Sequence, residues 1–175
     1  EHYAYAAAQR HQDAISLLRQ AIEMAPKKID LYVHLGMCHI ELQQHEKAEA
    51  ALKKALELPL KKDAVIDAQH SAKFYRRKAW ETLGRVYTQQ GQFDLAEDYL
   101  KKAAADLRKF NQENHSTYFC PYQSLGELYT VMGKQNQALQ SFVANANHDT
   151  ENPTAQAVAA CALFGDGDHA GGVQE

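Results

Sequence analysis

A four-residue pattern that recurs three times constrains this chain more than any other feature. An aromatic residue is followed after three positions by Leu, after four by Gly, and after seven by Tyr or His. The copies are Tyr32, Leu35, Gly36, His39; Trp80, Leu83, Gly84, Tyr87; and Tyr122, Leu125, Gly126, Tyr129. Residues with these offsets lie on one face of an α-helix. Each copy therefore predicts a helix whose packing face includes a glycine.

A second pattern begins twelve residues after each glycine and again marks one helical face. Its members are Ala48, Leu52, Ala55; Ala96, Leu100, Ala103; and Ala138, Phe142. The polar segments QQHEK, QQGQF and MGKQN separate the two patterns, and helices joined by so short a turn pack antiparallel. A glycine costs roughly 1 kcal/mol against alanine inside a helix, whereas overpacking costs roughly 1–3 kcal/mol. Close packing against the second helix therefore explains the glycines.

The combined pattern resembles the tetratricopeptide repeat, most closely in the copy that begins at Trp80. Two positions depart from that repeat, because His39 stands in a Tyr position and Asn145 stands in an Ala position. The resemblance implies an all-α fold, a right-handed superhelical solenoid of antiparallel helix pairs. It also implies a concave groove that is lined by the first helix of each pair.

The spacing of the copies predicts how the chain is divided. Successive glycines are 48 and 42 residues apart, against 34 residues in the ordinary repeat, so we expect extended helices and a longer loop at 111–116. Asn152 and Pro153 are typical of a helix start. The predicted segments are a partial first repeat with a short first helix of its own (1–27), a second repeat (28–60), an insert or helix extension (61–76), a third repeat (77–110), a fourth repeat (111–150), and a degenerate fifth repeat or capping helix with a flexible tail (151–175). Because both ends fall inside repeats, we expect an excerpt of a longer protein.

The face of each first helix opposite the glycine is predicted to line the groove and to contact a partner. The residues are Val33, His34, Met37 and Glu41 in the second repeat; Lys78, Glu81, Thr82, Arg85 and Gln89 in the third; and Gln123, Ser124 and Glu127 in the fourth. The basic pair Lys78 and Arg85 would receive a carboxylate of a bound peptide or helix. The alternative is that these residues form an ordinary solvated surface.

Two smaller groups have both a functional and a structural interpretation. His34 and Cys38 are spaced as two metal ligands on a helix, but a metal site needs three or four ligands. The segment KFYRRK at 73–78 combines four basic residues with two aromatic ones. It would suit phosphate contacts, or it is a solvated helix face with Phe74 or Tyr75 packed inward. Neither group predicts a catalytic, cofactor or metal site.

Composition narrows the function classes. The net charge of −3 gives no overall attraction for nucleic acid, and the longest apolar run, AVAACALF, is too short to span a membrane. Three widely separated cysteines favour a reducing compartment such as the cytoplasm over a disulfide framework. We predict a scaffold or adaptor, neither an enzyme nor dependent on a cofactor, that binds a protein or peptide segment. The alternatives are a regulatory module of a larger regulator and an accessory domain of an enzyme.

Overall fold

The computed structural model describes the backbone of residues 2–60, 66–114, 121–148 and 152–170, and the side chains over somewhat shorter ranges. These residues form eight α-helices and no strand. The helices are α1 (His2–Met24), α2 (Ile29–Glu41), α3 (His45–Glu57), α4 (Ile66–Gln89), α5 (Phe93–Asn114), α6 (Tyr122–Val131), α7 (Gln135–His148) and α8 (Pro153–Ala170). The chain divides into two compact units, unit 1 (residues 1–90) and unit 2 (residues 91–175).

Unit 1 is built around the helix pair α2 and α3. Helix α1 packs on α2, and α4 packs on both α2 and α3, so consecutive helices stack as the repeat pattern predicts. Val33, Leu52 and Ala55 are fully buried and form part of the core. The prediction of a separate short helix at the start of the chain is wrong, because α1 runs without a break from His2 to Met24. Its sequence contains neither Gly nor Pro to end a helix after residue 8.

Unit 2 is built around the pair α6 and α7, with α5 packed on α6 and α8 packed on α7. Helix α5 continues to Asn114, so the loop predicted at 111–116 is wrong over 111–114, and residues 115–116 lie outside the described ranges. Helix α8 begins as predicted, because the Asn152 side chain accepts hydrogen bonds from the N–H groups of Thr154 and Ala155 at 3.0 and 3.2 Å. The predicted tail is helical as far as Ala170.

The insert predicted at 61–76 extends the first helix of the third repeat. Helix α4 begins at Ile66, so residues 66–76 lengthen it at its N-terminal end, while 61–65 lie outside the described ranges. This extension accounts for most of the excess of the 48-residue spacing over the ordinary repeat. It also carries aromatic and basic side chains that pack against the rest of unit 1. A repeat of ordinary length would not have them.

The glycines lie at close contacts within each unit, as the sequence predicts. A methyl group added at Gly36 would lie 2.6 Å from Leu52 Cγ on α3, closer than two carbon atoms can pack. In unit 2, Gly126 faces the ring of Phe142 in the same way. Gly84 is buried as well. The missing side chain therefore allows the two helices of a pair to approach each other.

The turn between α2 and α3 adopts a left-handed conformation at a residue other than glycine. Gln43 has φ of 55°, and the N–H groups of Gln43 and Gln44 donate to the carbonyls of Ile40 and His39. This pair of bonds defines a Schellman motif. The corresponding turn after α6 uses Gly133, with φ of 70°. Glycine adopts this conformation without strain, whereas a residue with a side chain is penalised by about 1–2 kcal/mol.

Replacing Gln43 by glycine is therefore expected to raise the free energy of unfolding by about 0.5–1 kcal/mol. The gain is smaller than the full strain because glycine also increases the entropy of the unfolded chain. Urea unfolding followed by circular dichroism measures the change. Gln43→Ala removes the side chain beyond Cβ but keeps the Cβ that causes the left-handed strain, so it should give no gain. Equal stabilisation by Gly and Ala would contradict this explanation.

Candidate functional site

One face of unit 1 combines exposed residues of the first helices α2 and α4, which pack against each other. We call it the α2–α4 face. Its members are exposed or half-buried: His34, Met37 and Glu41 on α2, and Tyr75, Lys78, Arg85 and Gln89 on α4. Apart from Tyr75, all of them were predicted from the sequence to contact a partner.

His34 and Tyr75 join the two helices across this face. The His34 Nε2 and Tyr75 hydroxyl lie 3.4 Å apart, and their ring centroids lie 5.4 Å apart in an edge-to-face arrangement. Phe74 packs edge-to-face on Tyr75 at 5.2 Å. These rings are exposed or half-buried, so they provide an aromatic surface with a polar edge. Such surfaces are typical of the centres of protein interfaces, because they bury large area with little loss of side-chain freedom.

The cations of the α2–α4 face differ in their surroundings. The ammonium of Lys78 lies 3.5 Å from the carboxylate of Glu81 on the same helix. Arg85 is exposed and forms no ion pair with any residue that the structure describes. Of the two predicted cations, Arg85 is therefore the one that is available to an anionic partner.

Four residues that were predicted to line the groove are buried. Val33 is fully buried, and Glu81, Thr82 and Ser124 are between 2% and 7% exposed. Thr82 lies between the buried residues Ala79 and Val86 on a second buried stripe of α4. The prediction allowed each first helix only one packing face, whereas these helices pack on neighbours over a wider arc. We therefore exclude the four residues from the contact surface.

The basic segment at 73–78 is largely used in the architecture of unit 1. The guanidinium of Arg76 donates to the carbonyls of Leu58 and Leu56 at 2.9 and 3.4 Å, at the end of α3. Arg77 is only 2% exposed. Phe74 and Tyr75 are half-buried. Among the described side chains, this segment therefore does not present four free cations to a phosphate backbone.

Unit 2 presents a different set of the predicted residues on α6. Gln123 is half-buried, Glu127 is exposed, and the two are linked by a hydrogen bond of 3.0 Å from Gln123 Nε2 to Glu127 Oε1. Gln123 Oε1 in turn accepts a 3.2 Å hydrogen bond from the side chain of Asn145 on α7. Asn145 is one of the two residues that depart from the repeat pattern, and sequence analysis assigned it no contact.

Tyrosine–carboxylate hydrogen bonds join consecutive repeats within each unit. In unit 1, the Tyr87 hydroxyl donates to Glu49 at 2.8 Å, and in unit 2 the Tyr129 hydroxyl donates to Glu97 at 3.1 Å. The hydrogen bond from Lys53 and then that from Tyr87 lower the pKa of the Glu49 carboxyl, although burial opposes them. Sequence analysis missed these pairs. The sequence signal that could have revealed them is a Glu directly after the first alanine of the helix that precedes each tyrosine helix. Glu49 follows Ala48, and Glu97 follows Ala96.

His39 occupies the tyrosine position in α2 and finds a different partner. The residue that corresponds to Glu49 one repeat earlier is Ile15, which is buried and cannot accept a hydrogen bond from its side chain. The buried His39 instead pairs through Nδ1 with Gln44 Oε1 at 2.8 Å. Burial lowers the pKa of His39, and the nearby cation Lys47 lowers it further. His39 is therefore a core residue, and a role in binding has no support from its surroundings.

The remaining features of the structure contribute less to the candidate site. A cavity of about 360 Å³ lies in unit 2, lined by residues 91–95 and by Met132, and none of the predicted contact residues faces it. Within the described ranges, no three His, Cys, Asp or Glu residues are grouped so that they could hold a metal ion. Over the same part of the chain, no helix has the length and apolar character needed to cross a membrane.

Comparison with known proteins agrees with the fold. Two family models described as Tetratricopeptide repeat match residues 5–65 and 75–143. The BBSome complex member BBS4 of Bos taurus is 26% identical over 143 residues, which cover 82% of this chain and 23% of that protein. A crystal structure of MamA superposes with a TM-score of 0.62 at 18% identity, covering 90% of this chain and 79% of that one. A second structure, MamA AMB-1, gives a TM-score of 0.56 at 20% identity, covering 95% and 80%.

Proposed function

Because the chain belongs to the tetratricopeptide repeat family, we propose that it is a non-catalytic scaffold that holds a protein or peptide segment on the α2–α4 face. Proteins built from such stacked helix pairs offer extended, preformed surfaces to their partners. The relative BBS4 is named as a member of a complex, which supports a role in assembly. The proposed function requires no cofactor.

The observation that carries this proposal is the exposed contact between His34 and Tyr75. It joins two helices from different repeats into one preformed surface, and preformed surfaces hold a partner with less loss of conformational entropy. Met37 adds an apolar contact, and the unpaired Arg85 adds a cation that can bind a carboxylate through two hydrogen bonds. The partner segment that fits is therefore apolar or aromatic, with an acidic group near Arg85.

A peptide selection tests the proposed function. A random twelve-residue library is selected on the immobilised chain, and affinities of the enriched peptides are measured by fluorescence polarisation. We expect peptides with an acidic residue beside an apolar one, and a loss of about tenfold in affinity in Arg85→Glu, since a favourable charge contact becomes repulsive. Lys78 is left unchanged in this design because Lys78→Glu would place two carboxylates together at the buried Glu81.

Two controls make the selection decisive. Lys27→Glu makes the same charge change at an exposed residue between α1 and α2 and should leave affinity unchanged. His34→Ala should weaken the same peptides without lowering helicity, because the side chain is exposed. Failure to enrich any peptide, or equal binding by the Arg85→Glu and Lys27→Glu variants, would contradict binding on this face.

A further inference from the structure

Asn145 is a buried polar side chain at a position where the other repeats have alanine. The corresponding residues of the second and third repeats, Ala55 and Ala103, are fully buried, and Asn145 is 8% exposed. Burying an amide is unfavourable unless it is hydrogen-bonded. Asparagine also favours helix formation less than alanine does. Packing alone would therefore favour alanine here, so the question is what the amide contributes.

The amide of Asn145 holds one end of a side chain on the neighbouring helix. Its Nδ2 donates to Gln123 Oε1 at 3.2 Å, so the carbonyl end of the Gln123 amide faces α7. The Nε2 end is then directed along α6, where it donates to Glu127 Oε1 at 3.0 Å. Reversing the Gln123 amide would turn its oxygen toward the carboxylate and its nitrogen toward the Asn145 amide nitrogen. A carboxylate only accepts hydrogen bonds, so Glu127 requires the Nε2 end of Gln123, and the hydrogen bond from Asn145 to the Oε1 end supports this arrangement of the Gln123–Glu127 pair.

Glu127 is exposed at the end of this hydrogen-bonded series. It forms no ion pair within the part of the chain that the structure describes. It also occupies the helix position directly after the glycine, which in α4 is held by Arg85. A carboxylate whose orientation is fixed in advance, and which lacks a cation, is complementary to a guanidinium, because the planar fork of arginine can bond both oxygens. A lysine ammonium would bind the same group as a simple point charge.

We propose that Glu127 is a binding site in unit 2 for a cationic side chain of a peptide segment, arginine above lysine, and that Asn145 and Gln123 are positioning residues for it. This site rests on the proposed function as a peptide-binding scaffold. The site lies on α6 of unit 2. The proposal gives a role to the Asn145 amide, which replaces the alanine of the repeat. The negative charge of Glu127 makes this site selective for basic side chains.

The test uses the same random twelve-residue library, selected in parallel on the immobilised wild-type chain and on Glu127→Gln. We expect arginine to be enriched in peptides from the wild type and not in those from the variant. Arginine-containing peptides should bind Glu127→Gln about tenfold more weakly. Glu46→Gln makes the same change at an exposed residue of α3 and should have no effect.

The Asn145→Ala variant separates a role of Asn145 in positioning Glu127 from a role in packing. It retains the Glu127 charge and restores the alanine of the other repeats, so we expect a melting temperature equal to or above that of the wild type, with arginine-peptide affinity lowered three- to tenfold. A drop in melting temperature with unchanged affinity would assign Asn145 to packing and overturn its positioning role. Peptides that bind without arginine enrichment, or equally to Glu127→Gln, would overturn the site and leave the scaffold function standing. If no peptide is enriched on either chain, both proposals fail.

Discussion

Replacing Gly36 by valine is expected to lower the free energy of unfolding by about 3 kcal/mol, the upper end of the usual cost of overpacking. An added Cβ would lie 2.6 Å from Leu52 Cγ and 2.9 Å from Leu52 Cδ2, with the carbonyl oxygen of Ala48 at 3.3 Å. Leu52 is fully buried, so the residues packed around it resist its movement. The higher helix propensity of valine offsets only a few tenths of a kcal/mol of this cost.

Urea unfolding of three further variants tests that reasoning. Ala50→Val adds carbon atoms at an exposed position on α3 and should lower stability only by the difference in helix propensity, at most about 0.7 kcal/mol. Leu52→Ala alone should cost about 2–5 kcal/mol through the cavity it leaves. Because that cavity can receive the new side chain, the double variant Gly36→Val/Leu52→Ala should lose at least about 1 kcal/mol less than the sum of the single changes. Additive losses would show that the contact with Leu52 is not the cause.

Replacing Arg76 by methionine is expected to lower the free energy of unfolding by about 1.5 kcal/mol, because it removes charge-assisted hydrogen bonds to backbone carbonyls. Helix α3 ends at Glu57 with an extended residue, Leu58, and with Pro59 next, so it lacks the Schellman turn that closes α2. The guanidinium of Arg76 supplies the missing donors at Leu58 and Leu56. Its Nε is buried without a hydrogen bond in the described structure, and losing that group offsets part of the cost.

The readout for Arg76 combines global and local stability. Urea unfolding gives the overall change, and hydrogen exchange at the backbone amides of the last turn of α3 should accelerate more than exchange in α2. Arg85→Met removes a guanidinium from an exposed position of the same helix and should leave both measurements unchanged. Equal effects of the two variants would show that the capping contacts contribute nothing measurable.

The repeat pattern was sufficient to predict the helix pairs α2–α3 and α6–α7 and their closest contacts. The spacing of Gly36 and Leu52 places each on a helical face, and the short turn between them allows only antiparallel packing. The cap at Asn152 was equally readable, because a cap depends on neighbours two or three residues away. The left-handed turn at Gln43 could not be predicted, because a glutamine side chain gives no local signal for that conformation.

The candidate site was predictable only in part. His34 and Arg85 are on the surface as expected, whereas Val33 and Thr82 are buried. A helical period locates residues around one helix, but it does not show how many neighbours that helix has. For the same reason the contact between His34 and Tyr75 could not be derived, because the two are 41 residues apart in sequence.

The sequence by itself determined the fold class, the helix pairs α2–α3 and α6–α7 and the contacts of Gly36 and Gly126, because these follow from periodicity and from interactions between residues close along the chain. Tertiary structure alone decided which polar side chains form hydrogen bonds within the fold. Tyr87 donates to Glu49 across 38 residues, Arg76 to the end of α3 across 18, and Asn145 to Gln123 across 22. Such pairs depend on the distance and angle between packed helices, which are set by all the side chains of the core together.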